Sequence, residues 1–118
     1  MDRKQKIKRG DLFYADLGNS MFSEQYGIRP VIVLSNNKNN EHSPTIIIAP
    51  LTTKIKKESL LVHTYITKDK ANNLNLNSMV LLEQIKTIDK KRLFSKIGTV
   101  CDEDLKRINK SLKVSLNL

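Results

Sequence analysis

Cysteine is nearly absent: Cys101 stands alone, so no internal disulfide can form, and beside the acidic Asp102 and Glu103 it reads as structural rather than reactive. The two histidines, His42 and His63, are far apart and belong to no His-x-x-His pair, and no Asp-x-Asp or Cys/His cluster offers a metal site. Glycine occurs four times and nowhere builds a phosphate loop, which leaves nucleotide-dependent catalysis without a visible cradle. Tryptophan is missing, and apolar residues (39%) never run for more than a few positions, so neither a transmembrane helix nor a signal-peptide core is expected. Cytoplasm is the expected location. Acidic charge is also short, with 12 Asp and Glu against 21 Lys and Arg.

That imbalance is the first positive statement. A formal charge of +9 raises encounter rate and affinity for polyanions, nucleic acid first among them, although a lysine-rich composition also arises without any such partner. The 118 residues are enough for one domain with a modest core, and residues 1–7 read as a flexible basic tail. Short β-branched runs follow. Strands are expected at Leu12–Asp16, Val31–Leu34, Thr45–Ala49, Leu60–Ile66, Met79–Ile85 and, more briefly, Phe94–Val100. Ser35–Pro44 reads as a loop, and Phe22 as an apolar plug beside Met21. Asp89 can cap one helical turn ending near Leu93. A single long helix is expected at the C-terminus, capped by Asp102, with Leu105, Ile108, Leu112 and Leu116 on one stripe. The fold class is therefore mainly β, a small barrel or curled sheet with a C-terminal α-helix and short helical turns.

The stretch with the most to say is Ser23–Ser35. A polar loop ending in Gly27 meets the apolar run Val31–Leu34, with Arg29-Pro30 at the seam. Proline disfavours helix at the residue before it, so Arg29 is extended and delivered where a strand begins. Thr52 lies just after another strand, and in a barrel such strand ends share a rim. Taken alone, these features fit a solvated arginine and a turn threonine as well as a reactive pair. His42 in a polar loop and His63 within a strand read as ordinary imidazoles rather than an acid–base pair.

Several ordered blocks go further. Lys8-Arg9-Gly10-Asp11-Leu12-Phe13-Tyr14-Ala15-Asp16-Leu17, Ser23-Glu24-Gln25 with Gly27-Ile28-Arg29-Pro30-Val31-Ile32-Val33, Ala49-Pro50-Leu51-Thr52, and Leu81-Leu82-Glu83-Gln84-Ile85-Lys86-Thr87-Ile88-Asp89 together resemble the MazF/PemK family of toxin endoribonucleases, especially those of Gram-positive bacteria. The resemblance runs from about Lys8 to the end. It implies an SH3-like or CcdB-like β-barrel, a homodimer, cleavage of single-stranded RNA or mRNA without a metal or other cofactor, and a MazE-like antitoxin as partner. It also implies that Arg29 and Thr52 are catalytic, and that Ser23, Glu24, Gln25, Asn36, Glu83, Gln84 and Lys86 contact RNA.

Two departures stand out. Tyr26-Gly27 replaces a Gly-Gly of close family members, and Met21 stands where an aromatic residue would stack on a base. Lys54, Lys56 and Lys57 are further candidates to hold phosphates. Two other readings of a basic barrel are a CcdB-like toxin that binds gyrase without cutting RNA and a non-catalytic nucleic-acid-binding module.

Overall fold

The structure is a computed structural model that describes residues 6–19, 22–55 and 61–118. Seven strands form one largely antiparallel sheet: β1 (Asp11–Asp16), β2 (Ile28–Val33), β3 (Thr45–Thr52), β4 (His63–Ile66), β5 (Ser78–Leu81), β6 (Lys86–Asp89) and β7 (Leu93–Thr99). A short helix α1 (Asn37–His42) and the terminal helix α2 (Asp102–Leu116) complete it, with 3-10 turns at Leu82–Gln84 and Lys90–Arg92. The expected class, mainly β with one C-terminal helix and short helical turns, is the class that forms. Along the sheet the order is β4-β5-β3-β2-β1-β7, and β6 pairs with β3 as well.

Alternation along the strands divides the apolar residues between two cores, one on each face. Phe13, Val31, Val33, Ile46, Ile48, Ile88 and Leu93 fill the first. Leu12, Ile32, Ala49, Leu51, Ile66 and Val80 fill the second, which Ile108, Leu105 and Leu112 of α2 cover. Ile7 is buried in the first core, so the expected basic tail does not extend to it. Residues 1–5, like Met21, Lys56, Lys57 and Leu60, lie outside the described residues.

β3 is the strand that three others share, and its pairing explains the largest difference from expectation. On one edge Thr45–Ile48 pairs with β6, and further along Leu51 and Thr52 pair with β5. Ile48 to Leu51 is three steps, yet their partners Lys86 and Val80 lie six apart; the three-residue 3-10 turn Leu82–Gln84 takes up the excess. A continuous strand Met79–Ile85 would have kept one register. The break instead turns Glu83 and Gln84 out of the ladder.

Four smaller differences are local. Arg29 and Pro30 lie inside β2 rather than before it, because β1 pairs with them through Ala15 and Tyr14. Ser35–Pro44 contains α1: the Asn36 side chain accepts from Asn39 N at 2.8 Å, and buried Asn40 donates to Ser35 O at 2.8 Å. Cys101, not Asp102, caps α2, its sulfur accepting from Asp104 N at 3.5 Å. Leu116, expected on the apolar stripe, is 46% exposed. By contrast Asp89 caps the turn before β7 as expected, accepting from Lys91 N at 2.8 Å.

Gly98 of β7 is where the loop after β4 presses on the sheet. A Cβ there would lie 2.5 Å from the carbonyl oxygens of Ala71 and Asn72, which are backbone atoms held by Thr99 N donating to Ala71 O at 3.0 Å. Gly98→Ala is expected to lower stability by about 1–3 kcal/mol, as other overpacked sites do, read as an earlier urea midpoint at unchanged slope. An unchanged midpoint would mean that the loop lifts away freely.

Candidate active site

Pro30 and Pro50 shape the site. Neither can donate a backbone hydrogen bond, and the β2–β3 ladder covers only Val31–Val33 against Ile48–Pro50. Carried on two residues past Val31–Pro50, the register sets Arg29 opposite Thr52, where the pairing has ended. Between the two strand ends lies an open groove of about 240 Å³, lined by Tyr26–Pro30, Leu51–Thr53 and Ser78. The two residues singled out from sequence thus share one cavity.

Arg29 is half-buried, and its Nε donates to Tyr26 O at 2.7 Å. Its guanidinium carbon lies 5.6 Å from the centroid of the Tyr26 ring, within the range of a cation–π contact. Among the described residues it has no ion pair, and its terminal nitrogens make no hydrogen bond. Arg9, Arg92 and Arg107 differ: each commits a terminal nitrogen, to Asn109, Asp16 O and Asp104 respectively. Thr52 Oγ1 accepts from Lys54 N at 3.1 Å, which orients the hydroxyl and leaves its proton free to donate. Chemically, the groove offers a fixed cation and a fixed hydroxyl to an anion.

The turn at Gly27 carries the groove's outer wall. Gly27 has φ +74°, its N–H donates to Gly18 O at 2.8 Å, and its carbonyl accepts from Leu17 N at 2.9 Å. These bonds close the long connection between β1 and β2. Gln25 N donates to Gln84 Oε1 at 2.8 Å, so the Ser23-Glu24-Gln25 loop is tied to the 3-10 turn that β3 forces on the chain. Ser23 and Glu24 are exposed. Glu83 Oε2 lies 2.5 Å from His63 Nε2, whose ring is 8% exposed and whose Nδ1 has no partner among the described residues. Lys86 Nζ donates to Leu17 O at 3.4 Å, at the base of the same connection.

Asn36 is elsewhere. It follows the opposite end of β2, roughly 23 Å from Arg29 at strand rise, and its amide is engaged in capping α1. His42 ends α1 on the surface. Phe22, expected to plug the barrel, is 82% exposed. Two contributors escaped the sequence reading. Tyr26 figured only as a departure in loop shape, although an aromatic three positions before an arginine is a visible hint. His63 was set aside as a strand histidine, and nothing local links it to a carboxylate twenty residues on. Among the described residues no three His, Cys, Asp or Glu side chains gather as a metal site, and no helix is long and apolar enough to cross a membrane.

A small antiparallel sheet backed by one helix, with a bare arginine and a threonine at parted strand ends and a net charge of +9, defines a protein built to meet a polyanion. Residues 8–116 match the family model described as PemK-like, MazF-like toxin of type II toxin-antitoxin system, and the chain belongs to that family. It is 42% identical over 112 residues to the endoribonuclease MazF of Staphylococcus saprophyticus, covering 95% of this chain and 92% of that protein. Among solved structures, a mycobacterial endoribonuclease in complex with its cognate antitoxin superposes with a TM-score of 0.77 at 26% identity, over 95% of this chain and 96% of that one. MazF from Deinococcus radiodurans shares the fold, with a TM-score of 0.81 at 18% identity over 98% and 100% of the two chains.

The Gln25–Gln84 bond yields a test independent of activity. Gln84→Ala is expected to accelerate hydrogen exchange at the Gln25 amide at least tenfold while amides of β2 and β3 stay protected, as read by NMR. Unchanged exchange at Gln25 would show that the loop is held by other contacts.

Proposed function

We propose that the chain is the toxin of a type II toxin–antitoxin pair and an endoribonuclease that cuts single-stranded RNA in the Arg29–Thr52 groove, blocking translation by destroying mRNA. The single observation that carries this reading is the convergence of Arg29 and Thr52, with the arginine's terminal nitrogens unused among the described residues, in a cavity open to solvent. The family and the 42% identical endoribonuclease support the class of reaction.

RNA contains its own nucleophile. The 2′-oxygen attacks the adjacent phosphorus, the bond from phosphorus to the 5′-oxygen breaks, and the 2′-proton is matched by one delivered to the leaving oxygen. The products are a 2′,3′-cyclic phosphate and a 5′-hydroxyl end, with no metal required. Negative charge builds on the non-bridging oxygens, and a guanidinium fixed in advance stabilises it through paired N–H donors. Arg29 takes that role. A threonine hydroxyl is a poor base, so Thr52 donates to the phosphate and positions it, as its acceptor bond from Lys54 N favours.

Single-stranded RNA exposes base edges that Glu, Gln and Ser side chains can read. In this reading Ser23, Glu24 and Gln25 meet RNA beside the groove, just before its lining residue Tyr26; Glu83 and Gln84 do so from the turn to which Gln25 is bonded, and Lys86 from the base of the same connection. Asn36 would contact only RNA that runs the length of β2. Two further partners belong to this reading: a second copy of the chain, and an acidic antitoxin segment that competes with RNA for the cationic groove, favoured by the +9 charge.

Arg29→Ala is expected to lower cleavage of a single-stranded RNA by at least a thousandfold and to abolish growth arrest, with the fold kept by circular dichroism. Near-normal cutting would remove Arg29 from the mechanism. In EDTA, the wild type is expected to give discrete fragments, and a single 2′-deoxy substitution at the mapped scissile nucleotide should block that cut alone. Intact RNA would instead favour a non-cutting toxin or binding module, while cleavage of the deoxy substrate would refute attack by the 2′-oxygen.

A further inference from the structure

We propose that Tyr26 is a positioning residue for Arg29, holding the guanidinium by its ring as well as by its carbonyl so that the terminal nitrogens face the groove. The proposal rests on the reading of Arg29 as the group that meets the scissile phosphate. Tyr26 O fixes Nε at 2.7 Å, and the guanidinium carbon stands 5.6 Å from the ring centroid. The two holds act on different parts of the side chain. The carbonyl anchors one edge of the planar group, and the ring restricts how the plane can turn about that anchor.

Core packing does not account for the ring, because it is 51% exposed and lines the groove itself. Nor does it ride on a loose loop. Gly27, the next residue, is tied to Gly18 and to Leu17 by backbone bonds of 2.8 and 2.9 Å, so the ring has a fixed mount. Freedom removed from Arg29 beforehand need not be removed when phosphate charge develops, so the benefit falls on the chemical step rather than on RNA affinity. A glycine at this position would supply the carbonyl and no ring. Tyr26 is thus an addition in this chain to a hold that the backbone already provides, and its loss should be felt as a moderate effect.

Steady-state cleavage of a short single-stranded RNA, with its cut site mapped, tests this for Tyr26→Phe, Tyr26→Leu and Tyr26→Gly beside Arg29→Ala. Tyr26→Phe keeps the ring face and is expected to stay within about twofold of wild type. Leu and Gly should lower kcat about three- to tenfold with KM within about twofold, in line with an exposed cation–π contact. The Arg29 Nε–H signal should also become more mobile by NMR relaxation in Tyr26→Leu and not in Tyr26→Phe, without RNA present. A raised KM at unchanged kcat would mean that the ring binds RNA directly, and unchanged kinetics and mobility would mean that the carbonyl alone suffices; either overturns the proposal. If Arg29→Ala is inactive while Tyr26→Leu behaves as wild type, only the positioning role of Tyr26 fails. If Arg29→Ala still cuts, the reading of the groove itself fails.

Discussion

Proline at the meeting of β2 and β3 is the constraint on which the site depends. A ladder needs donors from both strands, and Pro30 and Pro50 withhold one each within two residues of the point where pairing stops. Had the ladder continued, Arg29 and Thr52 would face each other across closed strands, with the backbone satisfied and no room for a ligand. Instead the strands part. β2 remains fixed on its other side by β1, through Ala15 opposite Arg29, and β3 by β5, through Met79 opposite Thr52. Each residue is therefore held by a different neighbour while the space between them stays open.

The second constraint acts on the other edge of β3. Pairing with both β6 and β5 leaves three residues to place, and the 3-10 turn that absorbs them, Leu82–Gln84, is where the Ser23–Gln25 loop is fastened through Gln84 and where Glu83 meets His63. Leu82 itself is buried under α2, whose Ser115 donates to its carbonyl at 2.9 Å. The helix thus clamps the turn, the turn holds the loop, and the loop leads into Tyr26 and Gly27, which line the groove. Packing far from the groove is in this way connected to its geometry.

Much of this was legible in the sequence, and the reasons are physical. Local signals gave the β-branched runs, the Asp89 cap and the place of α2, because propensity and capping act within a few residues. Arg29-Pro30 announced an extended cation before its surroundings were known. What stayed hidden were pairings between distant residues. The three-residue shift depends on two ladders at once, His63 meets Glu83 only because β4 pairs with β5 and sets it opposite Leu81, and Ile7 is buried only because a core formed by β1, β2 and β3 awaits it. Asn36–Asn40 was misread for a different reason. A run of asparagines has the composition of a loop, but here Asn36 caps and Asn40 turns inward to Ser35, so the side chains supply what poor helix propensity lacks.

Charge placement shows why the bare arginine can persist. Asp11, the first residue of β1 and 2% exposed, is the buried carboxylate among the described residues, and it is engaged by Lys8 N, the Thr99 hydroxyl and Lys96. Asp16 turns to Gly18 N, Asp104 to Arg107, and Glu83 to His63. Each of these acids is engaged away from Arg29, and none lines the groove. Leaving a guanidinium without an ion pair among the described residues, in a protein that carries +9, raises its self-repulsion, and the cost is tolerable because the group is half exposed and screened by water and salt. An anion entering the groove relieves that repulsion and displaces the water together. In the proposed reaction the largest relief would come where the anion's charge is most concentrated, on the oxygens of a phosphate passing through its pentacoordinate state, so an unpaired charge at Arg29 would favour that reaction over mere binding.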